Sequence, residues 1–403
     1  MKKSDGNFSE SIDSVYSFNS NDFDYCKNNN NVCFSSGPCA KFPGWTPPKG
    51  LFAGRSHRSA EALNFIKQTI DLNRKILNLP DNYLLGFVNG SSTGAIELLV
   101  WNLLGERGVD VLNQCVFSNH WARDIDELKI PDTRVIYGKF PHVADTSKVD
   151  FSKDVVFCAS STTSGSAFKN LDWIPDDRKG LTICDAASAA FIMDLEWTKL
   201  DAVACSWQKG IGGEAGLATI ILSPRAVERL NNFTPDRAIP RLFRIKENGR
   251  INAGIFQGAT INTPSMLCIE DYYNALVWAE NIGGMEGLKS RVQKNYDVIK
   301  RWINSQNVFD FLVDENCRAK HIACFDLLDE NYQNLPTTKK WNFLRKISQF
   351  CTEKKVGYDI LGHSAAAMPN LRIWCGPTVE ASDLEKFLPW LTIAYEACCK
   401  DNC

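Results

Sequence analysis

The chain has no long apolar run. No stretch approaches the roughly 18–20 apolar residues of a bilayer span, so nothing in it reads as a membrane segment. Its opening residues, Met1-Lys-Lys-Ser-Asp-Gly-Asn, lack the apolar core of a secretion signal. Neither charge is in excess: Lys+Arg 45 and Asp+Glu 47 leave a net −2. That balance gives no reason to expect nucleic acid or an anionic membrane as a partner. No two of the 15 cysteines stand in C-x-x-C spacing, so the usual zinc and dithiol motifs are missing. Without a secretion signal they read as reduced, mostly buried small hydrophobes. Cys398, Cys399 and Cys403 cluster at the C-terminus, where a metal site and a frayed, oxidation-prone tail both stay open. There is no internal repeat. These absences lead to the expectation of a cytoplasmic globular protein.

What is present fits that class. With 403 residues, 44% of them hydrophobic and 23% charged, the chain can bury large cores and form more than one domain. Residues 1–30 are rich in Ser, Asn and Asp. They cannot bury enough apolar surface to offset ordering entropy and are expected to be disordered.

The stretch 181–216 organises the rest. Two short apolar runs, 181–184 and 202–205, read as buried strands, and each leads to a residue capable of chemistry: Asp185 and Lys209. Open α/β sheets place ligands at the carboxyl ends of their strands. Lys209 is followed by Gly-Ile-Gly-Gly, a loop with little side-chain bulk. Such a loop suits an amine that forms a Schiff base with a bulky cofactor aldehyde, with the acid as partner to a pyridinium nitrogen. A solvated lysine on a loop is the competing reading.

Other segments add candidates. Residues 60–77 carry apolar side chains at helical spacing and predict a helix packed on the sheet. Phe87-Val-Asn-Gly-Ser-Ser-Thr-Gly-Ala95 precedes a helix over 96–104. Ser92 and Thr93 there could be a plain hydroxyl cap or an anion site at a helix N-terminus. His57 and Arg58 are either solvated neighbours or a clamp for an anionic group. The run 115–121 reads as a strand entering a loop. Strands are expected at 154–158, 217–223, 322–325 and 371–374. Helices are expected at 265–281, at 287–307 and after Ser382-Asp-Leu-Glu385, which has a capping-box pattern. The basic run 236–250 reads as a solvated loop face.

Several separated blocks share one resemblance. Ser206-Trp-Gln-Lys209, preceded by Cys184-Asp185-Ala-Ala-Ser, resembles the cofactor-lysine region of phosphoserine aminotransferases, class V enzymes of fold type I that use pyridoxal phosphate. Phe34-Ser-Ser-Gly-Pro38, Ser56-His-Arg-Ser59, Thr162-Thr-Ser-Gly165, Gly258-Ala-Thr-Ile-Asn-Thr-Pro264 and Leu371-Arg-Ile-Trp-Cys-Gly376 follow in the same order, so the resemblance spans about residues 31–400.

The resemblance implies an α/β fold: a large, mostly parallel seven-stranded sheet sandwiched by helices (residues 31–283), plus a smaller α+β domain (284–403). It implies catalytic roles for Lys209 and Asp185. Pyridoxal 5'-phosphate would be held by Ser92, Thr93, Trp121, Thr162, Asp185, Gln208, Lys209, Asn262 and Thr263. Trp121 would stack on the ring, and Asn262 and Thr263 would reach across a homodimer with shared active sites. Ser36, His57, Arg58, His363 and Arg372 would bind substrate, Arg372 taking the α-carboxylate. The chain departs from the pattern twice. Ser160 stands where an Asn is expected, and no arginine occurs in Gly362-His-Ser-Ala-Ala-Ala-Met-Pro-Asn370. The implied reaction is ping-pong exchange between 3-phosphohydroxypyruvate plus glutamate and phosphoserine plus 2-oxoglutarate, for serine or vitamin B6 synthesis. A serine–glyoxylate transaminase, a desulfurase and a non-catalytic pyridoxal-phosphate-binding regulator are the alternatives.

Overall fold

The central strands are mostly apolar and every position in them is buried, so their side chains must be covered on both faces. A computed structural model describes residues 32–400 and shows how. The expected N-terminal extension, 1–30, and Cys403 lie outside the described residues. The helices are α1 (Ala60–Ile76), α2 (Ser91–Leu103), α3 (Val116–Glu127), α4 (Pro224–Asn232), α5 (Met266–Asn281), α6 (Gly284–Asn304), α7 (Glu330–Gln333), α8 (Thr337–Glu353) and α9 (Ala381–Lys400). The strands are β1 (Leu84–Asn89), β2 (Val109–Asn113), β3 (Thr133–Tyr137), β4 (Asp154–Cys158), β5 (Thr182–Asp185), β6 (Ala202–Ser206), β7 (Leu217–Leu222), β8 (Lys246–Glu247), β9 (Arg250–Ile251), β10 (Phe309–Phe311), β11 (Ile322–Leu327) and β12 (Leu371–Trp374).

Seven strands form one sheet in the order β1-β7-β6-β5-β4-β2-β3. Only β7 runs against its neighbours, pairing antiparallel with β1 and β6. Side-chain alternation divides the core. Phe157 of β4, Cys184 of β5 and Val203 of β6 join one apolar cluster with Ile66 and Ile70 of α1 and Leu276 of α5. Val156, Ile183 and Ala204 join the opposite cluster with α2, α3 and α4. The mostly parallel seven-stranded sheet between helices is as expected.

A third cluster gathers the antiparallel sheet β10-β11-β12 with α6, α8 and α9. Phe34 belongs to it and stacks on Phe387 at 4.5 Å between ring centres. The segment that follows is tied the other way. The buried Glu270 carboxylate of α5 accepts N–H bonds from Lys49, Gly50 and Leu51 at 2.7–3.0 Å. Its neighbour Asp271 accepts from Lys41 Nζ at 2.9 Å and Trp45 Nε1 at 2.7 Å.

Five local readings are corrected. Residues 115–121 are not a strand: Cys115 caps α3 together with Ser118, and the strand in that region is β2. α2 begins at Ser91 rather than residue 96, because Gly90 at φ 87 turns the chain directly into the helix. α9 begins at Ala381, so Ser382 lies inside it and is not its cap; the Glu380 carbonyl accepts the N–H groups of Asp383 and Leu384. The basic run 236–250 is not a solvated face throughout. Arg237 donates to the carbonyls of Trp101 and Leu104 at the end of α2, where a cation meets orphan acceptors and the negative end of the dipole. α6 runs over Gly284–Asn304, a turn earlier than the expected 287–307. No disulfide joins two cysteines among the described residues, and of these only Cys33, Cys268 and Cys399 are not buried.

Candidate active site

The carboxyl ends of β4, β5 and β6 lie side by side, and their loops build the floor of the site. Asp185 ends β5. Its Oδ1 accepts the Ala187 N–H at 2.9 Å, and its Oδ2 accepts Trp121 Nε1 at 3.0 Å and the Cys158 thiol at 3.7 Å. Burial raises its pKa above the usual carboxylate range, while those donors and the Lys209 cation pull it back. Trp121 stands on a helix, not a loop, and its indole fixes the acid edge-on.

Lys209 follows β6 and is only 9% exposed. Burial lowers its pKa from the ordinary 10.5; Arg372 acts the same way, while Cys39 and Asp185 oppose. The amine therefore carries its lone pair at lower pH than a surface lysine does. Its Nζ lies 5.4 Å from the centre of the Phe117 ring. The loop is supported from below by Trp207, which stacks on Tyr272 at 4.0 Å and donates Nε1 to Thr219 Oγ1 at 2.9 Å. Gln208 turns its backbone carbonyl to the Cys39 N–H at 2.8 Å. Its side-chain Oε1 is buried without a hydrogen-bond partner.

Ser92 and Thr93 occupy the first turn of α2. No side chain caps this helix, and the Ser91 N–H is already taken by the Gly216 carbonyl. The N–H groups of Ser92 and Thr93 lie in the turn that has no intrahelical acceptors, at the positive end of the dipole, where an anion is favoured. Asn262 Oδ1 accepts from Asn89 Nδ2, at the end of β1, in the same chain. Thr263, next to it, is exposed.

β12 brings Arg372 to the other wall. Its Nη1 donates to the Thr162 carbonyl at 3.0 Å and its Nε to the Leu361 carbonyl at 3.3 Å. His363 lies close by: burial lowers its pKa, and Arg372, His120 and Lys209 add to the effect. Ser36 is 5% exposed and precedes Gly37, which touches Lys209. Asp185, Lys209, Trp121, Thr162, Arg372 and His363 are thus brought together within one chain. His57 and Arg58, at the start of α1, share no hydrogen bond or ion pair with this group among the described residues. His57 is buried and Arg58 exposed.

No family model matches the chain. Its likeness to individual proteins is strong. It is 45% identical over 372 residues to the phosphoserine aminotransferase of Methanosarcina barkeri, covering 91% of this chain and 97% of that one.

The chain belongs to the phosphoserine aminotransferase family.

The Methanosarcina mazei phosphoserine aminotransferase is 44% identical over the same coverage. Solved structures agree on the fold. The phosphoserine aminotransferase of Trichomonas vaginalis, solved with pyridoxal phosphate bound, gives a TM-score of 0.71 at 20% identity, covering 89% of this chain and 99% of that chain. The pyridoxamine-pyruvate aminotransferase of Mesorhizobium loti gives 0.75 at 16% identity over 93% and 94%. The mixed sheet between helices is therefore the fold-type I architecture of these aminotransferases.

The donor set of this phosphoserine aminotransferase family member suits pyridoxal phosphate. A buried amine, a buried carboxylate, an uncapped helix N-terminus and the orphaned Gln208 Oε1 match an aldehyde carbon, a pyridine nitrogen, a phosphate and a further polar atom. Three neighbours of the site were not singled out from the sequence. Cys158 donates to Asp185, but in a buried strand it carries no signal beyond hydrophobicity. Gly37 packs on Lys209. His321, just before β11, places Nε2 3.3 Å from Ser160 Oγ, which pairs with Ser188 Oγ at 2.7 Å. Ser160, the departure noted above, is therefore fully engaged. Burial and the Lys209 cation push the His321 pKa down to about 3, so it is neutral at physiological pH.

Proposed function

We propose that this chain is a phosphoserine:2-oxoglutarate aminotransferase that works by ping-pong exchange at Lys209, with pyridoxal phosphate as cofactor. The observation that carries the reading is the buried Lys209–Asp185 pair at the ends of adjacent parallel strands, in a chain of this family. When bound, pyridoxal phosphate supplies an aldehyde carbon and an electron-accepting ring. Lys209 Nζ would hold the cofactor through its aldehyde carbon and, when free, would carry the proton between the substrate Cα and C4′. Asp185 keeps the pyridine nitrogen protonated, held in place by Trp121, Cys158 and the Ala187 N–H. Trp121 supplies the ring face for stacking. Ser92 and Thr93 donate to the phosphate, and Thr162 and Gln208 complete the cofactor contacts. Arg372, already oriented by two carbonyls, has guanidinium N–H groups to spare for the substrate α-carboxylate.

His57, Arg58, His363 and Ser36 are assigned to the far end of the substrate, which is a phosphate in phosphoserine and a carboxylate in glutamate. A homodimer with shared sites accounts for His57 and Arg58 standing apart from the Lys209 group in one chain. In it, Asn262 and Thr263 from the second copy of the chain reach the cofactor phosphate. We assign residues 31–283 to the large domain and 284–403 to the small one, place the enzyme in the cytoplasm, and give it a role in serine or pyridoxine synthesis. No helix among the described residues is long and apolar enough to cross a membrane.

A coupled assay with phosphoserine and 2-oxoglutarate, set beside serine, alanine and cysteine as donors, tests the reading. Phosphoserine should be strongly preferred. A purified enzyme that transaminates serine or alanine and ignores phosphoserine overturns it.

A further inference from the structure

The Lys209 side chain runs along the backbone of a segment 172 residues earlier in the chain. A Cβ placed on Gly37 would stand 3.0 Å from Lys209 Cε, 3.4 Å from Cγ and 3.7 Å from Cδ. The first distance is well inside van der Waals contact between carbons. Gly37 also has φ 145, a conformation that side-chain-bearing residues rarely adopt. The absent side chain and the lysine methylenes therefore occupy complementary space.

The backbone cannot retreat to make room. On one side, the Phe34 carbonyl accepts the Trp374 N–H at 3.0 Å, and the Phe34 N–H donates to the Tyr358 carbonyl at 3.2 Å. On the other, the Cys39 N–H donates to the Gln208 carbonyl at 2.8 Å. Asp271 then clamps both segments at once, accepting from Lys41 Nζ and from the Glu214 N–H, each at 2.9 Å. Gly212 marks how tight the joint is: a Cβ there would stand 2.5 Å from the Ala40 carbonyl oxygen. With both backbones pinned, the flexible lysine is the part that yields to an added methyl group.

We propose that Gly37 is a positioning residue for the catalytic amine: the space left by its missing side chain is the channel in which the Lys209 methylenes lie, and it sets the line along which Nζ approaches the cofactor. This rests on the assignment of Lys209 as the cofactor-linked amine.

The test compares Gly37→Ala, Lys209→Ala, the double variant and Gly44→Ala in the full-length holoenzyme. Gly44 has φ 80 and nothing within 4 Å of its virtual Cβ, so it reports backbone strain alone. Borohydride trapping with mass spectrometry first locates the cofactor link in the unsubstituted enzyme. A link at another residue, or none, removes the Lys209 assignment and this inference with it. With the link at Lys209, Gly37→Ala is expected to lower kcat by about 10- to 100-fold, the scale of an active-site misplacement of about 1 Å. KM should be little changed, and the pH dependence of the lysine–cofactor absorbance band should shift. Gly44→Ala should leave all three alone. Gly37→Ala should also weaken cofactor retention in the Lys209 enzyme but not in the Lys209→Ala background, where no side chain remains to be displaced. Equal weakening in both backgrounds, or an unshifted band with unchanged kcat, overturns the inference while leaving the Lys209 assignment intact. If Gly37→Ala alone gives no folded chain, a folded double variant supports the channel and an unfolded one refutes it.

Discussion

The floor and the rim of the site are built on different terms. The floor is Asp185, Lys209, Trp121 and Thr162, all buried and anchored to strand ends or to the helix beside them. The rim includes Arg58 and Thr263, which are exposed, and Asn262, whose described hydrogen bonds stay within its own chain. A strand end fixes a side chain because its backbone is locked in a ladder, and burial then shifts its pKa. An exposed loop residue has no such constraint until a ligand or a second copy of the chain supplies one. In the proposed reading, the chemistry falls to residues that one chain holds rigid, and substrate selection falls to residues that it leaves less constrained.

The sharpest way to break this comparison is at the floor. Lys209→Ala should lower turnover by roughly 10³-fold or more, since both nucleophile and proton carrier are lost. Circular dichroism should remain that of a folded chain, because the loop rests on Trp207 and Tyr272 rather than on the lysine. Near-normal activity in that variant would remove Lys209 from the mechanism. Next, Asp185→Asn should retain the cofactor but lose on the order of 10² in kcat, equivalent to roughly 2.7 kcal/mol. An unchanged rate would mean that the ring nitrogen needs no anionic partner.

The rim is tested by smaller effects. Arg58→Ala should raise KM for phosphoserine more than for glutamate, by on the order of 1.5–3 kcal/mol for a lost charge-assisted hydrogen bond. Equal effects on both substrates count against a phosphate role. Mixed dimers of Asn262→Ala chains with Lys209→Ala chains sharpen the comparison. With shared sites the hybrid holds one intact site and should show half the activity of the unsubstituted dimer. Half the activity of the Asn262→Ala homodimer would instead place every cofactor contact within one chain.

His321 offers the mildest readout, and one independent of turnover. Its pKa is about 3 in the folded chain against the ordinary 6.5, so the unfolded chain binds more protons between those values. Its contribution to stability is complete above pH 6.5 and is lost as the pH falls toward 3. The drop in Tm between pH 7 and pH 4 should be smaller in His321→Gln than in the unsubstituted enzyme. An identical drop would show that the imidazole does not titrate as buried.

Legibility followed the same division. β5 and β6 were readable because short, mostly apolar four-residue runs leading into a polar residue have few alternatives. α1 was readable from its apolar spacing. Residues 115–121 were misread because Val116 and Phe117 look like a strand, whereas Cys115 is engaged as a helix cap through its thiol, a role with no strong pattern. Arg237 looked solvated because nothing in a basic run reveals that three carbonyls of a distant helix end await it.

By itself, the sequence determined the buried strands and the order of the family's blocks, and it singled out the amine and the acid on which the proposed chemistry rests. Those follow from local hydrophobicity, from residue type and from motifs short enough to be contiguous. Tertiary structure alone decided that Cys158 and Trp121 hold Asp185, that His321 backs Ser160, and that Gly37 lies against Lys209. Each of these contacts joins segments 27 to 172 positions apart. Such pairs meet only when the sheet order and the small-region packing place them, and close packing, not local propensity, selects the residue that fits.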